Sequence, residues 1–180
     1  MIKETATKVR QVAIFELGGE TYGLDIDTVH EILPMQPITR VPKAPVYVEG
    51  VINLRGKVTP VVDMGKRFGL NKAERTKNTR IVVVNIDGTT IGIIVDAVTE
   101  VLRIPLTNIE SPSTVISAGD MGYLQGIAKL GDKIIILLDL GKVLSKDSMF
   151  SQVSLLQNSP ERKPQGSTSA KIGPAQLEHV

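Results

Sequence analysis

An internal repeat constrains this chain more than any other feature of its sequence. Residues 15–33 align without gaps with residues 84–102, and residues 50–68 align in the same way with residues 126–144. The two matches occur in the same order along the chain, so they indicate duplication of a unit of roughly 70 residues. Two copies predict paired domains rather than a solenoid, which needs three or more repeats.

The repeated segments are predicted to form hairpins of short β-strands. Two apolar runs flank Gly18-Gly19-Glu20, and the matching runs of the second copy flank Asp87-Gly88, a strong signal for a two-residue turn. A second hairpin turns near Arg55-Gly56, and its copy turns at Gly131-Asp132. Val and Ile dominate these runs, and β-branched side chains suit a pleated strand.

The remaining elements complete an all-β fold of two small barrels. Strands at Val29–Leu33 and Ile38–Val41 bring each unit to about five strands, and short strands at close spacing predict barrels. The two units span residues 12–68 and 80–144, and the basic segment 66–80 is the expected surface connector between them. Apolar residues at helical spacing predict a C-terminal helix over Asp139–Gln157. The segment 151–180 is expected to contain the end of this helix and, after it, a disordered tail of mostly polar residues.

The composition excludes several classes of function. The chain has no cysteine, which removes disulfides, thiolate catalysis and sulfur-ligated zinc. Its net charge of +2 produces no strong field that would attract nucleic acid or a membrane surface. The N-terminus lacks an apolar signal segment, and no apolar run approaches the ~18 residues of a membrane span. A cytoplasmic protein is therefore expected.

The segment from Gly50 to Lys57 resembles a phosphate-binding loop but lacks its spacing. Such a loop has four residues between its glycines and a Ser or Thr after the lysine. Here five residues separate Gly50 from Gly56, and Val58 follows Lys57. A strand pattern follows in place of the helix whose N-terminus would bind phosphate. The glycines therefore indicate a hairpin, with Arg55 at its tip.

No set of side chains indicates catalysis or a metal site. The two histidines, His30 and His179, have no partners at ligand or triad spacing. Aspartates recur at matched positions of the repeat, namely Asp27 with Asp96 and Asp63 with Asp139. Matched acids can act as a general acid and base. However, each ends a predicted strand, where a short acceptor can bond free backbone N–H groups, and this interpretation is favoured. No cofactor is expected.

A single-stranded nucleic-acid-binding protein of the OB type is the main alternative. Such barrels stack bases on aromatic side chains along a basic groove. The connector supplies basic residues, but the chain has only three Phe and three Tyr. Phe15, Tyr22 and Phe68 fall where core packing would use them. A non-catalytic interaction module is favoured instead, because strand edges and a groove between barrels are natural docking surfaces.

Three segments closely resemble the CheW-like coupling proteins of bacterial chemotaxis. They are YGLDIDTVHEIL (22–33), ITRVPKAPVYVEGVINLRGKVTPVVDM (38–64) and IGIIVDAVTEVL (91–102). The motif Asn53–Gly56, followed by the strand Pro60–Asp63, is highly characteristic. The resemblance runs from about Gln11 to Phe150 and implies one CheW-like domain over residues 11–150.

The resemblance implies a fold and a role. The fold is two intertwined five-stranded barrels of SH3 or OB type with a hydrophobic core between them, in which the first strand, Val12–Leu17, crosses into the other barrel. The role is a non-catalytic adaptor in signalling arrays, recruited to the inner face of the membrane. It links the cytoplasmic tips of chemoreceptors (methyl-accepting chemotaxis proteins) to the regulatory domain of the histidine kinase CheA. The chain leaves no room for a receiver or kinase domain, so a stand-alone adaptor is expected.

The resemblance also implies site residues. The receptor-facing groove would include Ile26, Val29, Glu31, Gly50, Arg55 and Val98. The segment 111–117 corresponds to a kinase-facing region, in which Val115 replaces a bulkier apolar residue. Val29 and Val98 are repeat partners that would line equivalent sides of a groove for a receptor helix. Glu31 and Arg55 would supply charges at its rim, which fix register more than affinity.

Overall fold

The computed structural model describes residues 6–71, 74–112 and 122–145. These residues form eleven strands and two short helices. The strands of the first half are β1 Val9–Leu17, β2 Glu20–Asp25, β3 Val29–Pro34, β4 Val48–Leu54 and β5 Lys57–Asp63. Those of the second half are β6 Arg80–Ile86, β7 Thr89–Val95, β8 Ala97–Pro105, β9 Ile109–Glu110, β10 Leu124–Leu130 and β11 Lys133–Leu138. The helices are α1 Met64–Arg67 and α2 Leu140–Ser145, and single 3-10 turns cover Ile26–Thr28 and Leu106–Asn108.

The two halves of the chain exchange their first hairpins. One sheet has the order β8-β1-β2-β11-β10-β9, and the other has the order β3-β6-β7-β5-β4. The hairpin β1–β2 therefore completes the sheet of the second half, and β6–β7 completes the sheet of the first half. The expected crossover is confirmed, and it involves the whole hairpin in both directions rather than the first strand alone.

The exchange is reciprocal in its register. On β3 and β6, Val29 pairs with Val84, while on β8 and β1 their repeat partners Val98 and Phe15 pair in the same way. Both ladders carry a bulge immediately after this pair. The parallel contacts β5–β7 and β11–β2 also share one register. The repeat thus appears in space as a pseudo-two-fold arrangement.

Two recurring glycines make room for side chains inside the barrels. A Cβ on Gly23 would lie 2.4 Å from Cγ1 of Val12, and one on Gly92 would lie 2.9 Å from Cγ2 of Ile81. No side chain fits at either point, because real Cβ atoms do not approach other heavy atoms so closely. Their recurrence in the sequence therefore reflects close packing rather than a turn.

Three hydrophobic clusters form the core. One lies inside each barrel: Val12, Ile14, Ile104, Ala128, Ile135 and Leu137 in one, and Ile52, Val61, Ile81, Val83 and Ile94 in the other. A third and larger cluster joins both sheets and both helices, with Phe15, Leu24, Val82, Ile93 and Leu138 among its buried members. On β1, Ile14 faces the barrel cluster and the next residue, Phe15, faces the central cluster, since alternate side chains point to opposite faces of a strand. The expected core between the barrels is confirmed.

Four aromatic rings form a row that begins with Phe15 in the central cluster. Phe15 stacks on Tyr22 with ring centroids 5.7 Å apart, Tyr22 stacks on Phe68 at 6.0 Å, and Phe68 contacts Tyr123 at 5.5 Å. Burial and the charge of Glu20 raise the pKa of Tyr22 above its ordinary value. Phe15, Tyr22 and Phe68 therefore serve packing, as the sequence indicated.

Three details differ from the sequence-based expectations. Residues 38–41 form no strand, and Thr39 makes only an isolated bridge to Val51, because Pro37 and Pro42 flank the segment and lack backbone N–H donors. The short helix α1 was not anticipated. Of the predicted helix Asp139–Gln157, the described part is α2, and the remainder lies outside the described residues.

Candidate partner-binding site

Arg55 occupies a turn position that is normally unfavourable for a side chain. It is the first residue of the two-residue turn between β4 and β5, with φ of 50°, and Gly56 follows with φ of 83°. Two positive φ values are the signature of a type I′ hairpin turn, which matches the twist of the flanking strands. Glycine adopts this backbone freely, whereas an arginine is strained there.

The side chain of Arg55 folds back onto Glu31 of β3. Nη1 and Nη2 donate to Oε1 and Oε2 of Glu31 at 2.9 and 3.0 Å, which is a bidentate ion pair. The side chain of Arg55 is 78% exposed, and that of Glu31 is 22% exposed. The structure therefore brings two of the implied site residues into direct contact and leaves most of the arginine side chain open to solvent.

The second half of the chain contains a related pair. Glu100, the repeat partner of Glu31, accepts from Nζ of Lys133 at 3.5 Å. Lys133 is the repeat partner of Lys57, while the position equivalent to Arg55 is Gly131. In each barrel an ion pair thus links equivalent elements of the repeat, β3 to the β4–β5 hairpin and β8 to the β10–β11 hairpin. Only in the first barrel does the basic residue belong to the turn itself.

The apolar site residues lie at the edge of the central cluster. Val29 and Val98 are half-buried and pack against it from equivalent strands, β3 and β8. Ile26 is half-buried in the 3-10 turn before β3, where Oδ1 of Asp25 accepts from the backbone N–H of Asp27. These side chains combine partial exposure with support from a rigid core.

Gly50 has a different environment from the other implied site residues. It is buried, its φ is 144°, and a Cβ placed on it would lie 2.0 Å from the carbonyl oxygen of Thr39. A side chain at this position would push the segment around Thr39 away from β4. Gly50 therefore maintains the shape of the first barrel on the strand that leads to Arg55.

Three of the four recurring aspartates accept backbone hydrogen bonds. Asp63 Oδ1 accepts from the N–H of Lys66 at 3.0 Å, and Asp139 Oδ1 accepts from that of Lys142 at 3.1 Å. Asp96 Oδ2 accepts from the N–H of Gly18 at 2.8 Å. The capping interpretation is confirmed for these residues, whereas near Asp27 the accepting carboxylate is that of Asp25.

Glu49 anchors the start of the basic connector. Lys66 Nζ contacts its Oε1, and Arg75 Nη2 lies 2.9 Å from its Oε2. Burial raises the pKa of Glu49, but the hydrogen bond and charge of Lys66, together with those of Arg75, outweigh burial and hold the pKa below its ordinary value. Two of the connector's basic side chains are therefore paired with a single carboxylate of the protein.

Other candidate features can be placed only within the described residues. His30 is exposed on β3, while His179 and Val115 lie outside the described residues. In the described part of the chain, no group of three or more His, Asp or Glu side chains is arranged to hold a metal ion. No helix there is long and apolar enough to cross a membrane.

Comparison with known proteins identifies the family. The model of the CheW-like domain matches residues 11–148. The chain belongs to the CheW family. It is 34% identical over 149 residues to the chemotaxis protein CheW of Treponema pallidum (strain Nichols), covering 81% of this chain and 88% of that protein. It is 36% identical over 146 residues to the chemotaxis protein CheW of Helicobacter pylori (strain ATCC 700392 / 26695), covering 81% and 87%.

A solved structure supports the same assignment. The scaffolding protein TtCheW from Thermoanaerobacter tengcongensis superposes with a TM-score of 0.70 at 44% identity, covering 76% of this chain and 92% of that one. The two SH3-like barrels expected from the sequence are therefore confirmed, and this CheW-family chain is a chemotaxis scaffold protein. The OB-type nucleic-acid alternative is not favoured.

The sequence analysis named Asn53 only as part of the family motif and gave it no role in the site. Asn53 precedes the turn, and its Oδ1 accepts from the backbone N–H of Gly56 at 2.8 Å. The available signal was an asparagine two residues before a non-glycine turn residue, which recurs at Asn85 before Asp87. Short Asn side chains commonly bond nearby backbone groups in this way.

Proposed function

We propose that this CheW-family chain couples the cytoplasmic tips of chemoreceptors to the histidine kinase CheA. The presentation of Arg55 carries the proposal. A strained backbone is retained where the surroundings over-determine it, and it is concentrated at functional sites. The second barrel uses Gly131 at the equivalent position, so the hairpin itself does not require an arginine.

The receptor would meet a surface with an apolar floor and a charged rim. Val29 and Val98 offer partly exposed side chains that are fixed by the central cluster, which suits the apolar face of a helix. Glu31 lies on the same strand as Val29 and contacts Arg55, so the two charges are presented together. Such rim charges set register and association rate more than affinity. Ile26 and Gly50 support the strands that carry these groups.

The kinase would bind elsewhere on the chain. We assign its contact to the segment 111–117, including Val115, on the basis of the family resemblance. The chain acts without catalysis and without a cofactor, in the cytoplasm, and the receptor arrays bring it to the inner face of the membrane. A domain spanning residues 11–150 carries both contacts.

A reconstitution experiment tests this proposal. Purified chain, a receptor cytoplasmic fragment and CheA are combined, and binding of each partner is measured separately together with kinase activity. We expect both partners to bind and the receptor fragment to alter kinase activity only when the chain is present. Arg55→Ala should weaken receptor binding and leave CheA binding unchanged. Failure of the wild-type chain to bind either partner would contradict the proposal.

A further inference from the structure

The described residues include four two-residue hairpin turns that differ in their first residue. In the turns β1–β2 and β10–β11 this residue is Gly18 or Gly131, each with φ of 59°. In the turns β4–β5 and β6–β7 it is Arg55 or Asp87, each with φ of 50°. The turns at Gly18-Gly19, Arg55-Gly56 and Asp87-Gly88 have two successive positive φ values, whereas the φ of Asp132 in the β10–β11 turn is not positive. The same type I′ backbone is thus formed once by glycine and twice by a strained first residue.

An asparagine accompanies each strained residue. Asn53 stands two residues before Arg55 and Asn85 stands two residues before Asp87. Their Oδ1 atoms accept from the N–H of Gly56 at 2.8 Å and from that of Gly88 at 3.0 Å. At the same position before the two glycine turns the residues are Glu16 and Lys129.

The hydrogen bond acts on the backbone that orients the arginine. It joins the residue before the turn to the N–H of the second turn residue, so it closes a ring that contains Arg55. Without it, the positive φ of Arg55 has less local support, and the turn can relax toward conformations in which the guanidinium points elsewhere. The ion pair with Glu31 is then lost, since a bidentate pair needs both nitrogen atoms in one plane with the carboxylate.

We infer that Asn53 is a positioning residue that holds the Arg55 guanidinium against Glu31 and toward the partner. Asn53 supplies the acceptor, Arg55 supplies the charge and Glu31 fixes its direction. The partner-facing half of this inference rests on the proposed function, in which the receptor meets the charged rim formed by Glu31 and Arg55. The half that concerns Arg55 and Glu31 stands on the geometry of this chain alone.

The geometric half is tested by ¹H–¹⁵N NMR of the full chain. The Arg55 side-chain Nε–H signal is assigned by its absence in Arg55→Ala, and its position without the ion pair is given by Glu31→Gln. In Asn53→Ala the signal should move to the position found in Glu31→Gln. In Asn53→Asp, which keeps an acceptor oxygen, it should stay near the wild-type position. An unmoved signal in Asn53→Ala would overturn the inference.

The functional half is tested by the affinity for a receptor cytoplasmic fragment. Asn53→Ala should weaken binding by at least half of the fold-change caused by Arg55→Ala, and Asn53→Asp should restore binding to within about twofold of wild type. Adding Asn53→Ala to Arg55→Ala should cause no further loss, because residues that act through one group are not additive. An additional loss in the double variant would mean that Asn53 acts independently of Arg55.

Asn85→Ala provides the matched control. It removes the same hydrogen bond from a turn that carries no arginine, so it should lower thermal stability as Asn53→Ala does and leave receptor binding unchanged. Equal loss of binding in Asn85→Ala would show that the effect is a general loss of structure, which would refute a positioning role. If Arg55→Ala binds normally while the NMR signals behave as expected, the proposed receptor contact fails and the positioning of Arg55 by Asn53 stands.

Discussion

Replacing Arg55 by glycine or by alanine separates the strain of the turn from the ion pair. Both variants remove the contact with Glu31, but only glycine relaxes the backbone at φ of 50°. Glycine already forms this type of turn at Gly18-Gly19, whose φ values are 59° and 85°. The two variants therefore differ in strain while sharing the same loss of charge.

The expected difference in stability between the two variants is large enough to measure. A left-handed backbone costs a non-glycine residue about 1–2 kcal/mol. The additional freedom of glycine in the unfolded chain costs about 0.4–1 kcal/mol. An exposed ion pair contributes roughly 0.2–1 kcal/mol, and here the arginine side chain is 78% exposed. Arg55→Ala should therefore lower the free energy of unfolding by about 0.2–1 kcal/mol. The free energy of unfolding of Arg55→Gly should be about 1 kcal/mol higher than that of Arg55→Ala and close to that of wild type.

Thermal unfolding provides the assay. For a chain of this length, about 1 kcal/mol corresponds to a difference of roughly 2–4 °C in Tm. Asp87→Gly and Asp87→Ala form a matched pair, since Asp87 has the same φ and makes no ion pair with Glu31. Equal Tm values for the two Arg55 variants, or a higher value for Arg55→Ala, would refute the view that this turn is strained. Both Arg55 variants should lose receptor binding equally.

Three further results are expected. Gly23→Ala should destabilise the fold by about 1–3 kcal/mol in chemical unfolding, because its Cβ would lie 2.4 Å from Val12 Cγ1, and wild-type stability would contradict the close approach of the strands. The pKa of Glu49 is lowered in the folded chain, so its contribution to stability is complete above the ordinary value of 4.5 and is lost as pH falls through the folded pKa. In Glu49→Gln, Tm should accordingly fall less steeply than in wild type as the pH is lowered below that value. The same fall of Tm in both proteins would count against the ion pairs of Glu49 with Lys66 and Arg75. Titration calorimetry with ATP should show no binding, because a strand rather than a helix follows Lys57; a tight site involving Lys57 would reverse this conclusion.

The sequence by itself determined the elements that depend on local patterns. The positions of the four hairpins follow from glycines and apolar runs, and the duplication follows from matched residues at fixed offsets. The NLRG motif and its flanking strands were sufficient to indicate the family, which the domain match over residues 11–148 confirms. The strand at residues 38–41 was predicted wrongly, because flanking prolines outweigh the preference of Ile38 and Val41 for extended structure.

Tertiary structure alone decided which hairpin completes which barrel and where Arg55 points. Both halves carry the same apolar alternation, so no local rule distinguishes pairing within one copy from exchange between the copies. The exchange buries β1 on both faces, with Ile14 in one cluster and Phe15 in another. Likewise, Glu31 and Arg55 are 24 positions apart in the sequence, so their contact cannot be predicted until β3 and the β4–β5 turn are folded together. Both features are stabilised by contacts between segments that are far apart in the sequence. These contacts exist only in the folded chain, so local sequence patterns do not predict them.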